Sequence, residues 1–595
     1  MSDSFLTEPI AELVWRARYG GGPDGDANVQ ASWARVALAL SAPETHERDR
    51  WRERFEQVLT RFRFLPGGRI LAGAGRAQGA TLFNCFAAGT LPDALDGIFS
   101  ALGETVVTLQ AGGGVGCDFS PVRPAGARAE RSGNTAAGPL AFMRVWDAAA
   151  SALAQPGGRG PAMLAALRCD HPDIEAFIDA KRGGTLSHFN LSVLVTDEFM
   201  RAVEDDGPWP LVFPVSGHAP VAGLPVCERV WSGAAEAQPC AVWATLPARA
   251  LWQRLLRAAF DSGEPGVIFI DHVQRANNLR GHEQIAVCNP CGEVPLPPHG
   301  ACNLGSLNLT QFVHEPFSLH PRLDLAALAD AATVAVRMLD NVYEVSPWPL
   351  KAQSSVAHAT RRLGLGITGL GDALAMLGVR YGDDNALELA DAIMRTVSHA
   401  AYRASVALAD ERGAFPAYDA ASYLGSDFIQ TLPPELIDSI WKHGIRNSHL
   451  TALAPAGGIS VLANNVSSGV EPIFALRQQR TLRRDDGSRH TVAAADYAWT
   501  LFRRLHGPHA ALPPALVEAS EIAPLRQLQM VSRLQAHVDQ GISKTLNLAP
   551  GTSFAEFESL YMDAWQLGLK GCTVYRPEAA IGDAPLQMAE TGCGA

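Results

Sequence analysis

Apolar residues recur at helical spacing from the start of the chain. Ile10, Leu13 and Val14 share one stripe, and a second helix is expected over Ser32 to Leu40. The rhythm breaks at Leu65-Pro66-Gly67-Gly68, beyond which short apolar runs separated by glycine take over, as in strands that alternate with helices. Phe189 to Thr196 and Gly266 to Asp271 read as buried strands, being rich in β-branched or aromatic residues and bounded by polar residues or Pro and Gly. Leu325 to Val342 sets Leu325, Leu328, Ala332, Ala335 and Leu339 on one helical face, and Leu251 to Ala259 reads as another core helix. The polar run from Arg483 to Ser488 predicts a surface turn. No internal repeat, heptad array or low-complexity tract interrupts the pattern. It describes a short helical N-terminal segment followed by one large α/β domain.

Composition narrows the function. The 595 residues carry 49 Lys plus Arg against 61 Asp plus Glu, a net charge of -12, with no long basic cluster. A nucleic-acid partner is therefore not expected. No apolar run approaches the length of a membrane span, and Met1-Ser2-Asp3-Ser4-Phe5 does not open a secretory leader, so the expected location is the cytoplasm with no membrane partner. Ten cysteines are too few for a disulfide scaffold, which leaves free thiols or chemically employed ones.

The chemistry is densest between Cys288 and Ser306. Cys288-Asn289-Pro290-Cys291-Gly292-Glu293 is followed by Gly300-Ala301-Cys302-Asn303, placing three thiols, an amide and a carboxylate in a constrained loop. Cys288 and Cys291 have the gap of a zinc knuckle, but a second pair is lacking and His299 with Cys302 supplies a poor one, so no metal is expected. Asn289, Cys291 and Glu293 alternate; in an extended loop their side chains would face one way, toward a single bound substrate.

This stretch resembles the active-site loop of ribonucleotide reductases, whose Asn-x-Cys-x-Glu motif is followed eleven residues on by a further cysteine, here Cys302. The likeness extends to Leu82-Phe83-Asn84-Cys85-Phe86, Gly112 to Gly116, Arg168 to Asp173, Asn190 to Val193, Arg362 to Gly366, Ala454 to Pro472 and Ile542 to Thr545, in the family's order. The resemblance implies a ten-stranded α/β barrel with a central finger loop over residues 65–577, a helical N-terminal segment over 1–64 and a flexible tail over 578–595. It also implies roles. Cys291 would carry a thiyl radical that takes hydrogen from C3' of a ribonucleotide. Cys85 and Cys302 would supply two electrons and end as a disulfide, Glu293 would act as base on the 3'-hydroxyl, and Asn289 would hold the ribose. Cys117 competes for the place given to Cys85, but the family's strand position favours Cys85.

The resemblance further assigns the substrate to Asn84 and to the turn Ala456, Gly457, Gly458, Ile459 and Ser460, where small residues let backbone N–H groups approach a diphosphate. Ala456 and Gly458 stand where hydroxyl-bearing threonines are frequent, which puts more weight on backbone donors and Ser460. Gly112 to Gly116 alone is better read as a tight turn. Asp93, Gly158 and Arg159 would serve a deoxynucleoside triphosphate effector. About 60 residues precede the first motif, so specificity control is expected without an overall ATP/dATP switch.

Relatives differ in how the radical arises. Gly571-Cys572-Thr573-Val574-Tyr575-Arg576 has one tyrosine where oxygen-dependent large subunits, which receive the radical from a separate partner, have two side by side. Glu293 is not expected in glycyl-radical enzymes. Asp96-Gly97-Ile98-Phe99 and Leu296 to Cys302 look most like the class that uses adenosylcobalamin. The expected partners are a ribonucleoside diphosphate, the effector, thioredoxin or glutaredoxin as reductant, and a second copy in a homodimer. Cys593 would be a single tail thiol, which cannot complete dithiol exchange by itself.

Overall fold

The computed structural model describes residues 5–21, 25–77, 79–128, 133–153, 160–182, 184–215, 223–234, 236–483, 489–549 and 551–575. Its centre is a ten-stranded sheet. In chain order the strands are β1 (Phe64–Pro66), β2 (Cys85–Ala87), β3 (Gly114–Asp118), β4 (Met163–Arg168), β5 (Phe189–Val195), β6 (Gly266–Phe269), β7 (Ala301–Asn308), β8 (Leu363–Thr368), β9 (Thr545–Asn547) and β10 (Gly571–Tyr575). Strands β2 to β6 are consecutive parallel neighbours. Strands β7 with β8, and β9 with β10, are parallel pairs in the other half. The halves meet antiparallel at β2 with β7 and at β6 with β10, and β1 also pairs antiparallel with β7.

Single bridges from Leu365 to Thr451 and from Leu453 to Ile542 carry the ladder from β8 through residues 451–453 to the approach of β9. Leu453 N–H donates to the Gly541 carbonyl at 3.0 Å and Ser543 N–H to Leu453 at 2.8 Å. The sheet thus curls into a barrel. Strands β3, β7 and β8 are buried along their whole length, as a sheet covered on its outer face by helices requires.

The expected elements form with shifted ends. The helix expected over 32–40 runs Val29–Ser41, started by Asn28, whose side chain accepts from Ala31 N–H. The two core helices extend to Ala248–Ser262 and Leu325–Val345. Thr196 is not the end of a strand but the cap of helix Asp197–Glu204, accepting from Phe199 N–H. Asp271 likewise belongs to helix Ile270–Arg275, because the chain turns as soon as β6 leaves the sheet. Of the smaller sheets outside the barrel among the described residues, two have strands of five residues or more. One has Ala237–Pro247 between Pro208–Pro214 and Val226–Val230; the other pairs Arg477–Arg483 with Arg489–Ala495. Of the run expected to form a surface turn, 484–488 lies outside the described residues. Among the described residues no helix is long and apolar enough to cross a membrane.

The N-terminal helices are tied to the barrel layer by a buried charge cluster. Glu44 accepts from Arg337 at 2.8 and 2.6 Å, from Arg412 at 2.6 Å and from Asn341 at 2.7 Å. Burial opposes the charge on Glu44, but these donors outweigh it and hold its carboxyl below the usual range. Its stabilising effect is therefore present above the ordinary glutamate range and fades as pH falls through its lowered value. Replacing Glu44 by Ala removes the carboxylate that Arg337 and Arg412 share, but leaves Arg337 on Glu411 and Arg412 on Asn341, and urea denaturation at neutral pH should show a loss of about 1–3 kcal/mol that shrinks toward acid.

Candidate active site

Between β6 and β7 the chain enters the barrel as a finger. Val287–Cys288 pairs antiparallel with Pro295–Leu296, leaving residues 289–294 as the tip. Asn289 N–H donates to the Val294 carbonyl at 3.0 Å, and the Asn289 side-chain oxygen accepts from Val294 N–H at 2.9 Å. Gly292, at φ +85°, closes the turn with its N–H on the Asn289 carbonyl at 3.0 Å. The tip is thus a tight turn and not the extended loop that alternation suggests. Asn289 and Glu293 fold together inside it, with no exposed surface on either residue, while Cys291 sits partly open at the point.

Two glycines let this finger into the barrel. A Cβ on Gly116 of β3 would lie 1.9 Å from the Cys288 carbonyl oxygen, and one on Gly541 would lie 3.0 Å from that of Glu293, to which Gly541 N–H donates at 2.8 Å. Asn190 of β5 reaches the tip from a third side, its amide donating to the Pro290 carbonyl at 2.9 Å. Backbone atoms in the finger that would otherwise lack water as a partner are paired in this way.

The reactive groups converge beneath the tip. Asn289 Nδ2 donates to Glu293 Oε1 at 2.9 Å and lies 3.2 Å from Cys85 Sγ, whose thiol is in turn 4.0 Å from Glu293 Oε1. Cys85 and Cys302 are register partners across β2 and β7, and both are fully buried. Antiparallel partners stand about 4.5–5.5 Å apart at Cα, within the span that a disulfide bridges. Burial pushes the Cys302 thiol well up, and Glu293 and Asp539 add to the effect, while Arg362 and a hydrogen bond with Gln540 oppose it. Cys302 is accordingly held as S–H at neutral pH. Cys288, at the base of the finger, is buried, and burial with nearby Glu293 takes its thiol up to about 12. Cys117 lies on strand β3 itself, again buried and pushed up to about 12.

Cys291 opens into a cavity of about 320 Å³ whose wall includes Asn190, Pro455, Ser460, Ser467, Gln478 and Thr545. Ala456 precedes the short helix Gly457–Leu462, and Ser460 donates its hydroxyl to the Gly457 carbonyl at 2.9 Å. A Cβ on Gly458 would meet the Tyr19 hydroxyl at 2.7 Å, so Gly458 and Ile459 face protein; Pro455 and Ser460 face the cavity. Asn84 is buried against Gly67, beside the Gly112 to Gly114 turn and Arg69.

Asp93 lies away from this centre, paired with Arg123 through its side chain at 2.9 Å and its backbone N–H at 3.0 Å. Burial raises its carboxyl despite that partner. Gly158, Arg159 and Cys593 lie outside the described residues. Tyr575 closes one wall of the cavity, its ring 6.4 Å from Phe474, and Val574 beside it is buried.

Several residues of the centre escape a reading of the sequence. Gly541 and Gln540 carry no motif of their own. Lys570 is buried beside Cys288 and donates to the Asp539 carbonyl at 2.8 Å and to the Gln540 carbonyl, bracing the turn that touches Glu293; burial brings its ammonium down to about 8. Asn190 opens one of the stretches that carry the family likeness, but its contact with the finger has no signal in the sequence.

Residues 83–575 match the family model described as the barrel domain of ribonucleotide reductase, and residues 5–79 match its all-alpha domain. A vitamin B12-dependent ribonucleoside-diphosphate reductase of Mycobacterium tuberculosis (strain CDC 1551 / Oshkosh) is 37% identical over 559 residues, covering 91% of this chain and 74% of that protein. A protein of the same description from Thermoplasma acidophilum is 32% identical, covering 88% of this chain and 65% of its own length. A ribonucleoside-diphosphate reductase subunit alpha from Chlamydia pneumoniae is 26% identical over 93% of this chain and 57% of that protein.

The two finger-clasping glycines are separable by experiment. Gly116→Ala drives a methyl group into backbone and should lower stability by about 1–3 kcal/mol while abolishing nucleotide turnover. Gly541→Ala, with contacts near 3 Å, should be milder on both measures in urea denaturation and steady-state assays.

Proposed function

Because the chain belongs to the ribonucleotide reductase family, we propose that it is an adenosylcobalamin-dependent ribonucleoside-diphosphate reductase, making 2'-deoxyribonucleotides for DNA synthesis and repair. The observation that carries this reading is the register of Cys85 against Cys302 beneath a finger tipped by Cys291.

The chemistry follows from the residues. A ribonucleotide seated in the cavity would present C3' to Cys291, whose sulfur, as a thiyl radical, takes the 3'-hydrogen. Glu293 receives the 3'-hydroxyl proton, and Asn289 holds the carboxylate so that this oxygen is met at a fixed angle. The 2'-hydroxyl departs as water with a proton from the thiol pair. Cys85 and Cys302 give up two electrons and become a disulfide, and Cys291 returns the hydrogen to C3'. In sum one ribonucleotide and one dithiol become one deoxyribonucleotide, one disulfide and one water. Full burial of Cys85, Asn289, Glu293 and Cys302 shields these steps from solvent.

The wall past Cys291 carries groups that would meet an amide-bearing cofactor. The cavity extends past the thiol to Phe474, Gln478, Arg480 and Asn547, a wall with one apolar ring and several amide and charged groups. These residues would hold adenosylcobalamin, which when bound supplies the one-electron oxidation of the thiol through cleavage of its Co–C bond. Val574 beside Tyr575 leaves this strand without the paired tyrosines of a large subunit fed by a separate radical protein.

The substrate diphosphate would rest on the turn Ala456, Gly457, Gly458, Ile459 and Ser460, with Ser460 as the member that faces the cavity, whereas Asn84 lies in a separate pocket beside Arg69 and Gly112 to Gly114. Asp93, with Gly158 and Arg159, would receive a deoxynucleoside triphosphate effector. Thioredoxin or glutaredoxin would restore the dithiol, with Cys593 as a tail contact. A homodimer is supported by the apolar side chains of Leu95, Phe99, Val107 and Val145, which stand in solvent on helices Leu95–Gln110 and Pro139–Leu153. This reading carries with it a location in the cytoplasm.

Purified chain given a ribonucleoside diphosphate, adenosylcobalamin and dithiothreitol without oxygen should release the deoxynucleotide with no second protein. Cys291→Ser should bind nucleotide normally by calorimetry and form no product. Absence of product from folded wild-type protein would defeat the proposal.

The buried thiols also set a pH dependence. Cys302 is raised, so its ionisation favours the unfolded chain once pH exceeds the ordinary thiol range, and the same holds for Cys117 and Cys288. The urea midpoint should fall steadily once pH rises past the ordinary thiol range, and rapid iodoacetamide labelling of the folded chain should reach Cys291 before Cys302.

A further inference from the structure

One more pair of thiols faces across antiparallel strands, far in sequence from the catalytic set. In the outer sheet, Cys227 on Val226–Val230 is the register partner of Cys240 on Ala237–Pro247, with regular pairing on both sides from Val226 with Ala241 to Val230 with Ala237. Cross-strand partners project to the same face at about 4.5–5.5 Å between Cα atoms, a span a disulfide accepts without movement of the backbone. The two thiols share one small apolar cluster: Cys240 lies buried with Val212, Phe213 and Trp231, and Cys227 packs against it from the edge, partly open to solvent. Both are free thiols here.

Each thiol supplies what the other lacks. Cys227 is reachable from solvent. Cys240 is not, and burial together with its neighbour Cys227 pushes it up to about 12, with Arg168 and Arg229 opposing. A thiol placed in this way reacts poorly with a bulky oxidant but well with a sulfur already attached to the residue facing it.

We propose that Cys227 and Cys240 are a reversible redox modification site, closing to a disulfide on exposure to a low-molecular-weight disulfide such as oxidised glutathione. Cys227 loses its proton and attacks one sulfur of the reagent, whose S–S bond breaks and releases one thiolate. Cys240 then attacks Sγ of Cys227, and the second thiolate leaves. Two S–H bonds are exchanged for one S–S bond, the two electrons reside in two reduced glutathiones, and the two protons are taken up by the departing thiolates. The covalent link would staple the edge strand to the central strand of a sheet that is bonded to the barrel through Val212 N–H on the Asp170 carbonyl at 2.7 Å and Trp209 Nε1 on the Cys169 carbonyl at 3.0 Å.

The test is peptide mass spectrometry on the full chain equilibrated in glutathione buffers of rising oxidised fraction, quenched in acid with N-ethylmaleimide. A Cys227–Cys240 linked peptide, two hydrogens lighter, should accumulate with oxidised glutathione and disappear in dithiothreitol. It should persist in Cys85→Ser, where the pair beneath the finger cannot close, and vanish in Cys227→Ser, whose partly exposed site tolerates the change. Finding both thiols alkylated at every ratio overturns the proposal, as does finding either one joined only to glutathione or to a different cysteine.

Discussion

The hydrogen bond between Asn289 and Glu293 at the tip of the finger is the interaction on which the centre depends. Inside a barrel there is no water to solvate a carboxylate or an amide, so each must find its partner within the loop or among the strands around it. The turn meets that condition for Asn289 and for one oxygen of Glu293 by folding its own side chains together. Asn289 satisfies Val294, Glu293 and the region of Cys85 at once, and its backbone closes the turn at both ends. Cys291, at the point between Asn289 and Glu293, lines the cavity.

The surrounding strands serve that turn. Gly116, Asn190 and Gly541 come from different parts of the barrel and touch the finger on three sides, through a missing side chain, an amide and a backbone N–H. Lys570 extends the bracing by one layer, since the carbonyls it holds belong to the turn that leads into Gly541. A buried ammonium costs stability unless its hydrogens are used, and here it is spent on backbone carbonyls rather than on a carboxylate. It braces the turn that carries Asp539, whose charge acts on both Lys570 and Cys302.

The sequence announced the centre more clearly than its shape. Asn289, Cys291, Glu293 and Cys302 stand close in the chain, and the family likeness of Asn84-Cys85 brought in the fifth participant from far upstream. Periodicity also placed the long helices, because a stripe of apolar residues has one way to face a core. Alternation misjudged the loop: it assumes extended backbone, and Gly292 with its positive φ removes that condition. Strand ends were misjudged for a related reason, since Thr196 and Asp271 have strand-like neighbours but are claimed by the helices that follow. Gln540, Gly541 and Lys570 had no local signal, because their meaning comes from the finger they meet across the fold.

The two cross-strand thiol pairs show how one geometry acquires different chemistry from its surroundings. Cys85 and Cys302 share their register with Cys227 and Cys240, so spacing alone separates neither pair from the other. The difference is access. Both thiols beneath the finger are fully buried. Cys227 stands at a sheet edge open to small disulfides, and its partner is reached only through it. Burial therefore closes the inner pair off from the solution, while the outer pair meets it through Cys227.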